Sequence, residues 1–526
     1  MRLMFTALLG LISTNLWADT DWQTLEKQLW QEAVNDLRVE RQAEYDSNSV
    51  IAADFNMKYM VRRYGNLPAG ERPLFISMHG GGQAPSSTND SQWLNQITLY
   101  RQMDQPNEGI YVAPRAPTDT WNMWHRDHID PLFARLITNM VLFEGVDPNR
   151  VYIMGYSAGG DGTYQLAPRM ADYWAGGFMS AGHPGNASPL NLRNLPFAIY
   201  VGGADKPYNR NLAAELWLNK LSILQKESSI YRHTGKIFPR IGHWMGLKDV
   251  IGFDFMYQQQ RNPLPKTITW HQDEVKKSQM YWLAVDPADA DEGDIIEASR
   301  KGQVFTIRSV RAMEVKLLLN HHMVDFEQEV IVKTTDGTIL FAGLVNPTRK
   351  HLEESFKQRP DPKMAFSAAI SVNSPSSIDH FFKAAKVTLI DPQDKPNPSQ
   401  VMSTGAEVKN MYHCIGLVDL RLVPGKKKWQ WDSCLVGIDG VERRTKQYRL
   451  LPASGSGAML PPGKAFGGLP IADQDFGAMV PCSAMHNDTR QPGYLAKNSE
   501  GLSTCTFGWG ALQIWSENQI LLLAGG

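Results

Sequence analysis

Cysteine is scarce in this 526-residue chain: Cys414, Cys434, Cys482 and Cys505, all in the last quarter. Their spacings match no zinc-binding pattern, which argues against a cysteine-held metal. Charge imbalance is lacking too. Lys and Arg number 53 against 54 Asp and Glu, a net charge of −1, so nothing points to a nucleic-acid partner or a polyanionic substrate. Beyond the N-terminus no apolar run reaches about 18 residues, which excludes a membrane-spanning helix. What remains, at 43% hydrophobic and 20% charged residues, is the composition of a globular protein.

The length implies two or three domains, because a single core stops growing well short of it. Arg2, the apolar Leu3–Ile12 and Leu16-Trp17-Ala18 have the layout of a secretory signal peptide. Export, to the periplasm or the medium, is therefore expected. Four cysteines in an exported chain favour disulfides over free thiols.

From about 50 to 240, short apolar runs alternate with amphipathic stretches. Leu74–Met78, Gly109–Ala113, Arg150–Met154 and Phe197–Val201 read as buried strands; Ile129–Leu142, Thr163–Tyr173 and Arg210–Gln225 read as helices. That alternation predicts a mostly parallel sheet covered on both faces. After Pro263 the texture changes. Ile268–His271, Gln279–Val285, Gln303–Ile307, Met313–Leu319 and Glu329–Lys333 read as strands, and Thr335-Asp336-Gly337-Thr338 as a hairpin turn. A small antiparallel β domain is expected over 266–372, followed by a proline-bearing link at 391–399.

The last 130 or so residues are duplicated. Cys414, nine residues, Pro424-Gly425 and Cys434 match Cys482, nine residues, Pro492-Gly493 and Cys505. Gly437 and Gly508 each follow the second cysteine by three residues, and Leu450-Leu451 and Leu521-Leu522 begin sixteen after it. Repeats of this kind indicate stacked supersecondary units. Each unit is expected to close its own cysteine pair, although four cysteines permit three connectivities.

Gly155-Tyr156-Ser157-Ala158-Gly159 is a G-x-S-x-G motif. Roughly 0.2 such matches arise by chance in a chain this long, so its context decides. The strand Arg150–Met154 precedes it and a helix over Gly162–Ala175 follows it, the strand–turn–helix that a nucleophilic serine needs. His79-Gly80-Gly81-Gly82 closes the strand Leu74–Met78. Backbone N–H groups of Gly81, Gly82 and Ala158 could hold an oxyanion there. The acid should follow the serine and the histidine should follow the acid. Asp205 leaves the strand Phe197–Val201 at its C-terminal end, where open α/β sheets carry their sites. His243 is the next suitable base. His233 reads as structural, Asp161 as a helix N-cap, and Asp249 falls out of order. His79, Tyr156, Trp124, His183 and Trp244 are candidate pocket residues. Trp121, His125, Asp127, His128 and Asp130 read as a pocket wall or solvated cap rather than a metal site.

The elbow Gly155–Asp161, the HGGG segment and the loops at Asp205 and His243 resemble the bacterial carboxylesterases grouped with polyhydroxybutyrate depolymerases and feruloyl esterases. The resemblance spans roughly 45–265. It implies an α/β-hydrolase fold and cleavage of small or polymeric carboxylic esters through an acyl-enzyme. It also implies Ser157, Asp205 and His243 as the triad, and no cofactor or metal. The chain departs from that group at His243-Trp244-Met245-Gly246, where many relatives carry a His-Gly-Trp-Pro-like segment. The duplicated cysteines and Pro-Gly pairs are similar to natterin-type lectin repeats, which implies a β-rich, disulfide-supported module that binds glycans.

The expected organisation is a signal peptide at 1–18, a hydrolase domain at 19–265, a small β domain and connection at 266–390, and the duplicated module at 391–526. The middle domain is expected to flank the active site. Two other readings share these residues: a serine peptidase using the same triad, and a carbohydrate-binding protein whose hydrolase domain is not catalytic.

Overall fold

A computed structural model describes residues 21–383, 389–398, 401, 410–438 and 441–451, together with strands between 457 and 523. The expected signal peptide lies outside the described residues. Among the described residues no helix is long and apolar enough to cross a membrane.

The chain opens with a long helix, α1 (Trp22–Asp46), whose first turn is capped by the Asp21 carboxylate accepting from the N–H groups of Gln23 and Thr24. An eight-stranded sheet follows: β1 (Ser49–Ala52), β2 (Phe55–Tyr64), β3 (Arg72–Met78), β4 (Gly109–Pro114), β5 (Val146–Tyr156), β6 (Gly176–Ser180), β7 (Phe197–Gly202) and β8 (His233–Phe238), in the order 1-2-4-3-5-6-7-8. The first two strands are antiparallel additions; β4, β3, β5, β6, β7 and β8 run parallel. Helices α2 (Ser86–Gln96), α3 (Ile129–Glu144), α4 (Ala158–Arg169), α5 (Arg210–Glu227) and α6 (Ile251–Tyr257) connect them.

Alternation along the strands sorts the core. Leu74, Ile76 and Met78 face Leu132, Leu136, Tyr164 and Trp217 of α3, α4 and α5. Phe75, Tyr152 and Phe178 face Phe253 and Met256 of α6 on the other side. The result is an α/β-hydrolase architecture, a mostly parallel sheet with helices on both faces. Its elbow helix differs from expectation: α4 starts at Ala158, directly after the serine, and ends at Arg169.

Two further sheets follow. One comprises β9 (Thr267–His271), β12 (Ile295–Lys301), β13 (Val304–Ser309), β15 (Val330–Thr334) and β16 (Ile339–Gly343); the other comprises β10 (Gln279–Met280), β11 (Leu283–Ala284), β14 (Met313–Leu319) and β17 (Ala368–Ser374). A helix, α7 (Arg349–Gln358), precedes β17. The expected hairpin is β15–β16. Two expectations fail. Gln279–Val285 is not one strand but a tight β10–β11 hairpin, turning at Tyr281 with φ of 54°. Nor is the region wholly antiparallel, since β13 and β15 pair in parallel. Its apolar residues Ile268, Trp270, Trp282 and Phe305 join the same core as Trp174 and Leu195, which precede β6 and β7.

In the duplicated module, β18 (Met411–Val418) pairs with β19 (Arg421–Lys428), placing Cys414 opposite Gly425. The equivalent strands Gly477–His486 and Thr489–Lys497 place Cys482 opposite Gly493. The disulfides are Cys414–Cys434 and Cys482–Cys505, one within each repeat.

Candidate active site

The elbow follows from local geometry. Ser157 sits at φ 58°, ψ −121° between β5 and α4, a backbone conformation that costs a non-glycine residue on the order of 1–3 kcal/mol. Its N–H donates to the Ser180 carbonyl at 3.0 Å, holding the turn against β6. Gly159 has to be glycine because a Cβ there would lie 2.1 Å from the Met78 carbonyl oxygen. Close passage of α4 over β3 thus brings the helix N-terminus, with its unpaired N–H groups, directly behind the serine.

Three side chains from three segments meet here. His243 Nε2 lies 3.0 Å from Ser157 Oγ, and His243 Nδ1 lies 2.8 Å from Asp205 Oδ2. Asp205 is 1% exposed, at the mouth of β7, and its other oxygen receives an Arg210 N–H at 3.4 Å. The Tyr156 hydroxyl pins the histidine loop from below. It donates to the His243 carbonyl at 2.7 Å and accepts from the Met245 N–H at 2.9 Å. Tyr156 therefore orients His243 as well as lining the cleft.

The cleft beside Ser157 has a volume of about 870 Å³ and is bordered by Gly80, Gly81, Tyr156, His243, Trp244 and one side of α2. Gln92, Asn95, Gln96 and Arg101 give it a polar wall. Several sequence expectations need correction. His79 and Trp124 do not line the cleft: both are fully buried, with Trp124 Nε1–H donating to the His79 carbonyl and His79 Nε2 accepting from the Ala116 N–H. They support the oxyanion loop from beneath. Burial holds the His79 imidazole down to about 4.

His183 also lies off the cleft. Its N–H donates to Asp161 at 2.6 Å and its ring, kept neutral by burial and by Arg210 with a pKa of about 4, accepts from the Gly185 N–H. Asp161 is thus no N-cap; it sits in the first turn of α4, pushed up to about 6 by burial. Of the loop before α3, Trp121 and Asp127 are exposed, while His128 stacks on Phe55 and Asp130 pairs with Arg169 and Lys277. None of the bordering residues comes from 266–372. The middle sheets pack against the far end of α4 instead, through Asp172 and Ala171, so their expected place beside the active site is not realised.

The oxyanion loop brings a second correction. The Gly82 N–H is already engaged, donating to Asn89 Oδ1 at 2.9 Å. Of the expected oxyanion donors, that leaves the N–H groups of Gly81, which borders the same cleft as Ser157, and of Ala158, the next residue after it. Gly81, at φ 107°, rests directly on Asn89: a Cβ there would come 2.1 Å from Asn89 Oδ1. Asn89 in turn donates to Asp119 at 2.7 Å, and Asp119 accepts from Arg115 and Ser86. Sequence reasoning missed Asn89 because nothing in an α2 stretch of Ser, Thr, Asn and Gln marks one amide as the strut of a loop before it.

Asn89→Ala removes that strut and leaves the Gly82 N–H unpaired, a loss of about 1–3 kcal/mol. The expected result is a fall in kcat of roughly tenfold to a hundredfold, below the cost of a lost oxyanion donor, with KM little changed. Steady-state kinetics on a soluble chromogenic ester checks it; an unchanged kcat in a folded variant would mean the loop holds its shape without Asn89.

No known protein family matches this sequence, and no curated protein matches it. Solved structures do resemble its N-terminal part. A thermostable esterase aligns at 14% identity over 40% of this chain and 62% of its own length, with a TM-score of 0.32. An acetyl xylan esterase from Aspergillus awamori aligns at 15% over 39% and 98%, with a TM-score of 0.30. An acylaminoacyl peptidase aligns at 13% over 41% of each chain, with a TM-score of 0.31. This chain thus spans less than two thirds of the thermostable esterase. Likeness at this level concerns fold, and the chemistry rests on the distances above.

Proposed function

We propose that the protein is a serine hydrolase that cleaves carboxylic esters through an acyl-enzyme on Ser157. The observation that carries this reading is the unbroken relay Ser157–His243–Asp205 at 3.0 and 2.8 Å, set at the mouth of an open cleft. His243 Nε2 takes the Ser157 proton as Oγ attacks the acyl carbon. Asp205 fixes the tautomer and stabilises the imidazolium that forms. The developing oxyanion accepts from the N–H groups of Ala158 and Gly81, with the N-terminal end of α4 adding its positive field. His243 then protonates the leaving alcohol and activates water for deacylation. Esters rather than peptides are proposed on the sequence resemblance. The two disulfides support an exported protein, and the duplicated module is proposed to hold it on a glycan-bearing surface.

The test is hydrolysis of p-nitrophenyl acetate and butyrate by wild type and Ser157→Ala, with fluorophosphonate labelling of both and a matched aminoacyl p-nitroanilide alongside. Ester turnover and labelling are expected to vanish together in the variant, a loss on the order of 10⁴-fold or more. Faster turnover of the anilide would make the enzyme a peptidase; a folded wild type that neither turns over nor labels would end the hydrolase reading.

A further inference from the structure

Three ligating side chains that the hydrolase reading does not use converge where α1 meets the turn after β14. Glu26 lies on the second turn of α1, and His321 and His322 follow the last strand residue by two and three positions. Glu26 Oε2 is 3.7 Å from His321 Nδ1 and 3.8 Å from His322 Nε2, and the three atoms all lie within 4.8 Å of one another. Such distances are too long for hydrogen bonds. They are slightly wider than the ~3.4 Å that separates two ligands around a tetrahedral ion with bonds of about 2.0–2.1 Å.

The surroundings leave these groups to one another. Glu26 makes no hydrogen bond among the described residues, although its side chain is only 16% exposed. His321 meets Glu26 through Nδ1, and its other ring nitrogen, Nε2, is buried without a partner. The two imidazoles stand 3.8 Å apart between centroids. The turn carrying them is fixed, since Asn320 Oδ1 accepts from the His322 N–H and Asn320 Nδ2 donates to the Ala365 carbonyl. Of the nearby charges, Lys363 and Lys27 oppose a cation and Asp21 favours one. His322 is 48% exposed on its side chain, so an ion can reach the cluster from solvent.

We propose that Glu26, His321 and His322 form a binding site for a divalent transition-metal ion of the zinc class, which ties α1 to the sheet containing β14. Two imidazoles and one carboxylate select such an ion over calcium or magnesium, which prefer all-oxygen ligand sets. None of the three residues borders the cleft at Ser157, so the role is structural. The ion crosslinks two segments nearly 300 residues apart in sequence, and binding to the folded state alone raises stability.

The test uses the whole mature protein, stripped with a chelator. Cobalt(II) is titrated in while its visible d–d absorption is followed, zinc affinity is measured by competition with a chromophoric chelator, and the thermal midpoint is recorded with and without zinc. The expected result is one equivalent bound with micromolar Kd or tighter, tetrahedral cobalt bands, and a midpoint raised by about 3 °C or more at a hundredfold excess over Kd. Glu26→Gln and His322→Gln should each weaken binding at least tenfold and abolish the midpoint shift. Ester turnover should be unchanged in both. His351→Gln, an exposed histidine on α7, should bind as wild type. Absence of stoichiometric binding by wild type, or equal binding by Glu26→Gln and His322→Gln, would overturn the site.

Discussion

Asp205→Asn is expected to leave Ser157 and His243 in place and to lower kcat about 10⁴-fold. Asp205 is buried to 1% exposure, and one of its oxygens is committed to His243 Nδ1 at 2.8 Å. As a carboxylate it can only accept, so Nδ1 must carry the proton and Nε2 is left as the base toward Ser157. An amide of the same shape can present its NH₂ to Nδ1. The proton then moves to Nε2, and the ring donates to Ser157 Oγ when it should accept. Arg210, 3.4 Å from the second oxygen, loses its charge partner but can still donate to a neutral oxygen. The fold therefore survives while the base is disabled. Steady-state turnover and the fluorophosphonate labelling rate should fall in parallel. The competing acid is Asp161, a buried carboxyl that feels both Asp205 and Arg210 electrostatically. If Asp205→Asn lost less than tenfold while Asp161→Asn lost several thousandfold, the acid would have to be reassigned.

Much of this site was legible in the chain because its chemistry is local. The glycines flanking Ser157 mark a sharp turn, the strand before it is apolar, and chain order places an acid on one βα loop and a histidine on the next. What was not legible depends on tertiary contact. Nothing in the sequence shows that the Gly82 N–H is taken by Asn89, so Gly81 and Gly82 read as equivalent donors. His79 and Trp124 read as pocket residues, yet both are buried beneath the loop. The start of α4 was read too late, since Ala158-Gly159-Gly160 looks like a turn until β3 is seen to need glycine against it. The middle sheets begin soon after His243 in sequence. The chain nevertheless carries them to the far end of α4, where apolar area and ion pairs are available.

That far end yields the largest stability effect. Arg359→Met is expected to destabilise the protein by about 3–5 kcal/mol, the cost of stranding a buried charge. Asp172, just beyond α4, accepts from Arg359, and its carbonyl accepts from Arg359 at 2.7 Å and from Arg261 at 2.9 Å. Arg261 also donates to Asp361 at 2.7 Å and to Asn149. The Asp172 carboxylate receives the Tyr281 N–H at 3.2 Å, from the β10–β11 turn, and the Arg359 guanidinium lies 3.8 Å over the Tyr173 ring. All four charged side chains are less than 10% exposed. Two cations and two anions balance there, and removing one guanidinium leaves two carboxylates sharing a single buried partner. Because the four residues come from the segments after α4 and α6 and from the segment after α7, the loss should lower the urea midpoint of ester turnover and of tryptophan fluorescence together. The double variant Arg359→Met, Asp172→Leu removes both charges of one pair and should recover part of the loss. A single substitution costing under 1 kcal/mol, or fluorescence and turnover falling at separate urea concentrations, would show that the two parts do not depend on this network for a common stability.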